Sequence, residues 1–531
     1  MADVISHVVR AEAVNFSATM LDTHDLSTIR GASRAMLKIE LAVEAGLKDA
    51  AAQGISKVYS GASQTAFRFM APAGTEQSVR AVVAAHLQKP GPHGEPFDHL
   101  SFVVDVVAGD GEAALDRAAA LNRARQLRQW TVPLPAFEER ARGFDEFDRT
   151  RPAIVPVPLP PGKLAGTDGK AESLLAASVE RRRRYGRSMR QRFYQDEVKD
   201  AARTLSFVDS FEDIVSAPPD NLPLSLKPRI AVVYADGNAF GKLRVKSGGH
   251  GPFSEHLHAL RKGLLSDTLA WFRESRDGPN GRAFAVPEGD RPLRLETLLW
   301  GGDELIFVLP SWLAFEFVGK FFEITKDWQL PVKGSARPEP MTHTMGVVIC
   351  DHKTPIRQVR ETAQAIADSI KTSVREQSLS PSNVVGIEIF ENEAPPEESL
   401  ESFRARNYGL HQAPEFDVAS GLAFPGDQFA ELRATMRDIA GTGPRSFPRS
   451  QINRLMAGAR DLGGNLADPR VSARMREIVG DYERRVRKTE AVTAGGFRLP
   501  RLPGAKARPI AVEIALVSLF WDYANPFPDH T

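Results

Sequence analysis

Between Arg229 and Glu391 the chain carries short apolar strands separated by amphipathic helices, in the order strand, helix, strand, strand, helix, strand, helix, strand. Short apolar runs mark strands at Arg229–Ala235, Leu293–Trp300, Leu305–Leu309, THTMGVVIC and NVVGIEIFE. Apolar residues three and four apart mark helices at Ser254–Arg273, Ser311–Trp328 and Ile356–Gln377. A chain with this order must fold as an α+β unit, because each helix has to carry the chain back across a sheet. The first 135 residues repeat the plan in shorter form. LSTIRGASRAMLKIELAVEAGLKDAAA has helical spacing, VYSGASQTAFRFM reads as two strands around Ser60-Gly61-Ala62, and HLSFVVDVVAG as another, with covering helices at Glu76–Leu87 and Glu112–Trp130. The expected fold is therefore two tandem ferredoxin-like domains.

Prolines 133 and 135 and the run from Pro152 to Pro161 end the first domain near residue 150. Residues 151–226 form a Pro- and Arg-rich segment with seven arginines between Arg181 and Arg192. Arginine forks with Tyr185, Phe193 and Tyr194 beside them suit phosphate and base contacts. The balancing acids Glu180, Asp196, Glu197 and Asp200 favour a solvated linker helix instead. The second domain spans 227–395. From 396 to 531 the strand signal fades, and RSQINRLMAGARDL, RVSARMREIVGDYERRVRKTE and Ala511–Tyr523 predict a mostly helical C-terminal domain.

At 531 residues the chain is long enough for several cores, and its 68 Lys plus Arg against 67 Asp plus Glu exclude tail-like nucleic-acid binding. One cysteine, Cys350, rules out an internal disulfide and a cysteine-built zinc site. With no secretory pattern at the start, and with Ile514–Trp521 far shorter than a membrane span, the reading is a cytoplasmic protein with no membrane partner. His24, His343 and His352 lack metal-ligand spacing and are assigned to packing or surface.

Chemistry concentrates in the second domain. Asp236 ends a buried strand, and Asp303 and Glu304 sit in a tight turn between two strands expected to lie beside it. Three carboxylates together repel unless a cation joins them, so hard divalent ions, Mg²⁺ or Mn²⁺, are the expected occupants. Gly237 leaves a carbonyl or a phosphate accessible, and Gly241 with Lys242 opens a segment able to hold a triphosphate. Gly301 and Gly302 let a base and sugar lie against the hairpin, and Lys371 and Arg375, four apart on one helix, form a two-point phosphate clamp. Singly each feature has an ordinary reading as a turn or a solvated face; their order along one expected sheet points to a metal-dependent nucleotide site.

These residues carry a resemblance. Asp236-Gly237-Asn238-Ala239-Phe240-Gly241-Lys242, Leu299-Trp300-Gly301-Gly302-Asp303-Glu304-Leu305, Thr344-Met345-Gly346-Val347-Val348 and His352-Lys353-Thr354-Pro355-Ile356 resemble the catalytic palm of the large polymerase-like subunit of type III CRISPR effector complexes. That palm is similar to GGDEF diguanylate cyclases and other nucleotidyl cyclases. Asp22 through Ser33 and Val58 through Ser63 resemble the family's first palm, and Arg449-Ser450-Gln451 its helical C-terminal domain.

The resemblance implies a nucleotidyltransferase, a palm-type cyclic oligonucleotide synthase, that converts ATP with two divalent ions into a cyclic oligoadenylate second messenger in antiviral defence. It implies metal at Asp236, the Gly237 carbonyl and Asp303, with Glu304 supporting metal or ribose hydroxyl activation. Asn238 falls at the nucleotide, and Lys371 and Arg375 at the triphosphate. Partners would be a nucleoside triphosphate, with RNA, CRISPR-complex subunits or a second copy of the chain as further candidates. A GTP-using cyclic dinucleotide synthase and a non-catalytic nucleotide- or RNA-binding scaffold stand as alternatives. Ser60-Gly61-Ala62-Ser63 replaces acids in the first palm, which should be silent; the hairpin reads Asp-Glu where the family more often has Asp-Asp; and neither the family's nuclease domain nor its zinc insert is expected from this sequence.

Overall fold

The computed structural model describes residues 3–15, 19–61, 63–128, 143–158, 172–391, 395, 399–400, 402–404, 422–441, 447–462, 466, 468–489, 502–503, 508 and 510–527. Trp130, Pro133, Pro135, Ala62 and the end of the proline run, Pro160 and Pro161, lie outside these residues. The first palm contains β1 (Val4–Ala13), α1 (Leu26–Leu37), α2 (Ile39–Asp49), β2 (Gln53–Ser60), β3 (Gln64–Pro72), α3 (Glu76–His86), β4 (Phe102–Ala108) and α4 (Gly111–Gln126). Its sheet runs β2-β3-β1-β4, antiparallel throughout. Sheet positions alternate, so Val9 and Ala11 meet the main core while Val8 packs against Ala114, Leu115 and Ala118 of α4 on the opposite face.

A small hairpin, β5 (Val155–Pro158) and β6 (Glu172–Leu175), leads into the 22-residue α5 (Ala177–Val198). This Arg-rich helix is not a solvated linker. It crosses α1 so closely that a Cβ on Gly31 would lie 1.8 Å from the Arg182 carbonyl oxygen, and one on Gly186 1.8 Å from that of Ser27. Tyr185, Met189, Phe193 and Tyr194 enter the main core. Five of the seven arginines are paired: Arg181 with Asp98, Arg182 with Asp22, Arg183 with Asp25, Arg184 with Glu180 and Arg190 with Asp209. Spacing alone did not reveal this, because three of those acids lie in the first palm, 83 to 160 residues away.

The second palm contains β7 (Arg229–Gly237), α6 (Phe240–Lys246), α7 (His250–Arg276), β8 (Glu296–Gly301), β9 (Glu304–Pro310), α8 (Ala314–Thr325), β10 (His343–Asp351), α9 (Ile356–Glu376), β11 (Val384–Ile389) and β12 (Ala423–Pro425). The sheet order is β12-β11-β10-β7-β9-β8. Four of its strands, β10-β7-β9-β8, repeat the fourth-first-third-second order of the first palm; β11 adds a parallel strand beside β10, and β12 pairs antiparallel outside it. β7 is apolar on both faces from Ile230 to Ala235, as a central covered strand requires. α9 buries Ile356, Val359, Ala363, Ile366, Ala367 and Ile370, a helical stripe in which each large side chain contributes about 1.5–3 kcal/mol. Gly346 lets it settle onto β10, since a Cβ there would meet the Ala363 carbonyl oxygen at 1.8 Å.

The palms share a core and are cross-linked by charge. Arg30 and Arg34 of α1, both fully buried, reach Glu296 at the start of β8, at 2.6 and 3.6 Å. Arg34 also donates to the Thr297 carbonyl and lies over the Phe193 ring, 3.4 Å from its centroid. α10 (Phe429–Ala440), α11 (Arg449–Asp461), α12 (Pro469–Thr489) and α13 (Ile510–Ala524) form the helical C-terminal region. Cys350 is buried on β10, and among the described residues no helix is long and apolar enough to cross a membrane.

Candidate functional site

The site forms where β7 leaves the sheet. Backbone pairing sets Asp236 opposite Glu304 on one side and Thr344 on the other. Residues directly opposite share a face, so Asp236 and Glu304 both project toward the side covered by α9. The Gly237 N–H donates to the Asp303 carbonyl at 3.0 Å, tying the end of β7 to the hairpin. The next residues turn sharply: Ala239 adopts φ +56°, a left-handed conformation that costs a side-chain-bearing residue energy and is held by the packing around it.

Gly237 is required for a reason other than phosphate access. A Cβ there would lie 2.5 Å from the Phe240 ring, which covers it. Phe240 in turn packs edge-on against buried His343, whose ring also meets Phe321 and Trp328. Burial pushes the His343 imidazole down to about 3, so it is a neutral packing group, as the sequence indicated. Asn238 is likewise committed to structure. Its amide nitrogen donates to Thr342 Oγ1 at 3.0 Å and to the Ser382 carbonyl at 2.9 Å, and its Oδ1 accepts from Thr344 Oγ1 at 2.8 Å. The expected nucleotide contact is thus replaced by a cross-link between the turn, β10 and the segment before β11.

Lys371 approaches from α9. Its ammonium lies 2.6 Å from Asp236 Oδ2 and 3.0 Å from the Gly237 carbonyl oxygen. These are two of the three groups expected to hold a metal, and both point at a single cation. Burial raises the Asp236 carboxyl to about 6; Lys371 opposes the shift, and the negative charges of Asp303 and Glu304 add to it. The clamp pairing of Lys371 with Arg375 is not assembled. Arg375 is exposed and folds onto its own helix, bonding the Lys371 carbonyl and Thr372 Oγ1.

Glu304 is half-buried. Its Oε1 accepts from the Tyr234 hydroxyl at 2.8 Å, and its Oε2 stands 4.0 Å from Arg360. Asp303 is exposed at the turn, where Gly301 and Gly302 take φ values of +156° and +60°. Register therefore makes Glu304, rather than Asp303, the direct neighbour of Asp236. Among the described residues no three His, Cys, Asp or Glu side chains are close enough to hold a metal by themselves. The oxygen donors that converge on the Lys371 ammonium, with two further carboxylates beside them, nevertheless suit a hard divalent ion. Gly241 and Lys242 are exposed on α6.

A cavity of about 720 Å³ opens between the palms. It is lined by Ser60 and Gly61 from the first-palm hairpin, Trp300 and Gly301 from the second, the first turns of α7, and Phe193 and Glu197 of α5. The hairpins almost touch, since a Cβ on Gly61 would lie 3.8 Å from the Gly302 nitrogen. Arg261 of α7, buried, donates to the Gly302 carbonyl at 3.1 Å, and Glu197 accepts from the Trp300 indole at 3.1 Å. Neither Arg261 nor Glu197 was legible as a site residue, because nothing in a long amphipathic helix marks which polar residue faces a hairpin. Asp236, Asp303 and Glu304 do not line the cavity, which meets the acidic turn at Gly301.

The first palm contains a backbone counterpart to the end of β7 and its hairpin. Glu12 stands opposite Gln64 as Asp236 stands opposite Glu304. The Ala13 N–H donates to the Ser63 carbonyl at 2.7 Å, as Gly237 does to Asp303, and Val14 donates to Ser101 at 2.8 Å, as Asn238 does to Thr342 at 2.9 Å.

No protein-family model matches the sequence, and a search of curated proteins finds no match. The solved structures do show a likeness in fold. The crystal structure of Csm1 from T. onnurineus aligns with a TM-score of 0.52 at 12% identity, covering 98% of this chain and 70% of that one. A Csm1-Csm4 cassette in complex with pppApA aligns with a TM-score of 0.50 at 12% identity, covering 97% and 69%. The chain spans 65% of its match in the apo Csm1-Csm4 cassette, at a TM-score of 0.46 and 12% identity. The fold is similar to that of Csm1: two palm-like α+β domains followed by a helical C-terminal region.

Proposed function

We propose that this chain is a divalent-metal-dependent nucleotidyltransferase that joins ATP units into a cyclic oligoadenylate, acting in the cytoplasm as the palm subunit of a type III CRISPR-like antiviral assembly. One observation carries the reading: a carboxylate and a backbone carbonyl, Asp236 and Gly237, share one cation beside two further acids, next to a glycine hairpin that opens into an inter-palm cavity. The pppApA in a fold neighbour's complex supports an adenylate substrate.

In this reading the base and ribose occupy the cavity beside Gly301, and the triphosphate crosses Gly302, where a Cβ would find open space. Asp236 and the Gly237 carbonyl hold the metal, with Asp303 and Glu304 supplying further negative charge. When bound, the ion activates the ribose hydroxyl and neutralises charge that builds on the triphosphate. Lys371 leaves Asp236 and takes up a phosphate oxygen, and Arg375 unfolds from Thr372 to join it. Tyr234 fixes Glu304 through Oε1, which leaves Oε2 to receive the hydroxyl proton. Arg261 holds the hairpin carbonyl away from the incoming phosphates.

The test is incubation of the purified chain with ATP or GTP and Mg²⁺ or Mn²⁺, with and without RNA and partner subunits, and identification of products by mass spectrometry. The expected result is a cyclic adenylate that disappears in Asp236→Ala. A product made from GTP alone would replace the substrate assignment, and silence under every condition would leave a nucleotide-binding scaffold.

A further inference from the structure

The first palm keeps a carboxylate at the position of Asp236. Glu12 precedes Ala13 as Asp236 precedes Gly237, and it faces Gln64 across the ladder. Loss of acids at the hairpin is therefore only half of the difference between the two sites. The other half is the cation. Arg10, two residues before Glu12 on the same strand, shares its face and is buried. Its guanidinium pairs with Glu12 through Nη1, donates to Gln64 Oε1 at 2.5 Å through Nη2, and donates to the Tyr59 hydroxyl at 2.9 Å through Nε.

We propose that Arg10 is a resident cation that fills the first-palm site in place of a metal and ties its hairpin in the form that meets the catalytic hairpin. This rests on the reading of the second palm as a metal site. The positions correspond closely. In the second palm the strand residue two before the acid is Tyr234, a neutral donor to Glu304, and the cation arrives from a separate helix on the flexible Lys371 stem. In the first palm a planar fork on β1 itself spans acid, amide and phenol together. A guanidinium does not lose its proton and satisfies several acceptors in one rigid geometry, so it is not exchanged as a lysine ammonium is. Gln64 completes the arrangement by presenting an amide oxygen without a second negative charge. The hairpin held in this way, Ser60 to Gln64, is the one whose Gly61 lies against Gly302.

The experiment counts Mn²⁺ bound by the full chain, from the loss of the free-ion electron paramagnetic resonance signal. Wild type is expected to hold Mn²⁺ that Asp236→Asn releases, and Glu12→Gln is expected to leave the wild-type count and affinity unchanged. In the Asp236→Asn background, adding Arg10→Met with Gln64→Glu is expected to gain one Mn²⁺ per chain. A lower count in Glu12→Gln overturns the proposal, as does a folded triple variant that gains none. Should the triple variant fail to fold, the Glu12→Gln count decides alone. A wild-type count that does not depend on Asp236 would overturn the metal reading of the second palm, while the gained site still judges Arg10.

Discussion

The two palms present the same backbone and opposite electrostatics. In each, the first strand ends in an acid, the next residue's N–H closes on the hairpin, and the one after it bonds the loop before the fourth strand. In the first palm the acid is satisfied by a guanidinium from its own strand, and the facing hairpin residue is an amide. In the second the acid is satisfied by a removable ammonium, and two carboxylates stand beside it. In the proposed reading, the acids at the hairpin and the way the cation is supplied together separate a structural half from a reactive one, since the fold is common to both.

The largest effect that could break this comparison comes from the acids themselves. Asp236→Ala should lower nucleotide turnover by on the order of 10³, about 4 kcal/mol in the barrier, while Glu12→Gln changes it by less than about threefold. Equal losses in steady-state assays would mean that both palms carry chemistry. Next is the charge that joins the palms. Glu296→Gln leaves Arg30 and Arg34 buried against a neutral amide and should cost about 3 kcal/mol in urea unfolding, whereas removing Glu44 from its exposed pair with Lys48 should cost less than about 0.5 kcal/mol.

Protons offer a finer test. The Asp236 carboxyl is raised from 3.8 to about 6, chiefly by burial, so its contribution to stability is present below about pH 4 and lost as pH rises through 6. Metal needs the ionised form, so Mn²⁺ affinity should fall about tenfold per pH unit below 6 and level off above it. A titration with its break near 4 would contradict the buried, acid-crowded setting. A smaller effect belongs to the Asn238 cross-link, whose Oδ1 accepts from Thr344. Thr344→Val removes one bond to its Oδ1 and should cost about 1 kcal/mol, read as a small drop in melting temperature with substrate affinity nearly unchanged.

Most strands and helices of both palms were legible because each buries one face or both, and burial writes its period into the sequence; β1, an inner strand of the first palm, was not read from it. The pairing of Asp236 with the Gly-Gly-Asp-Glu hairpin was legible for the same reason, since strand order fixes it. The partners that give individual residues their roles were not. Lys371 meets Gly237 across 134 residues, and Arg30 meets Glu296 across 266. The arginines of α5 looked solvent-facing because the acids that receive three of them lie in another domain. Gly237 suggested open space and instead admits Phe240, and nothing in the sequence singled out Glu12, which register places opposite Gln64.

The most direct measurement is a crystal or cryo-electron microscopy structure of the full chain with a non-hydrolysable ATP analogue and Mg²⁺. The account predicts the triphosphate over Gly302, an ion on Asp236 and the Gly237 carbonyl, Lys371 moved onto a phosphate, and Arg10 still bound to Glu12. A nucleotide bound elsewhere, with Lys371 still on Asp236, would contradict it.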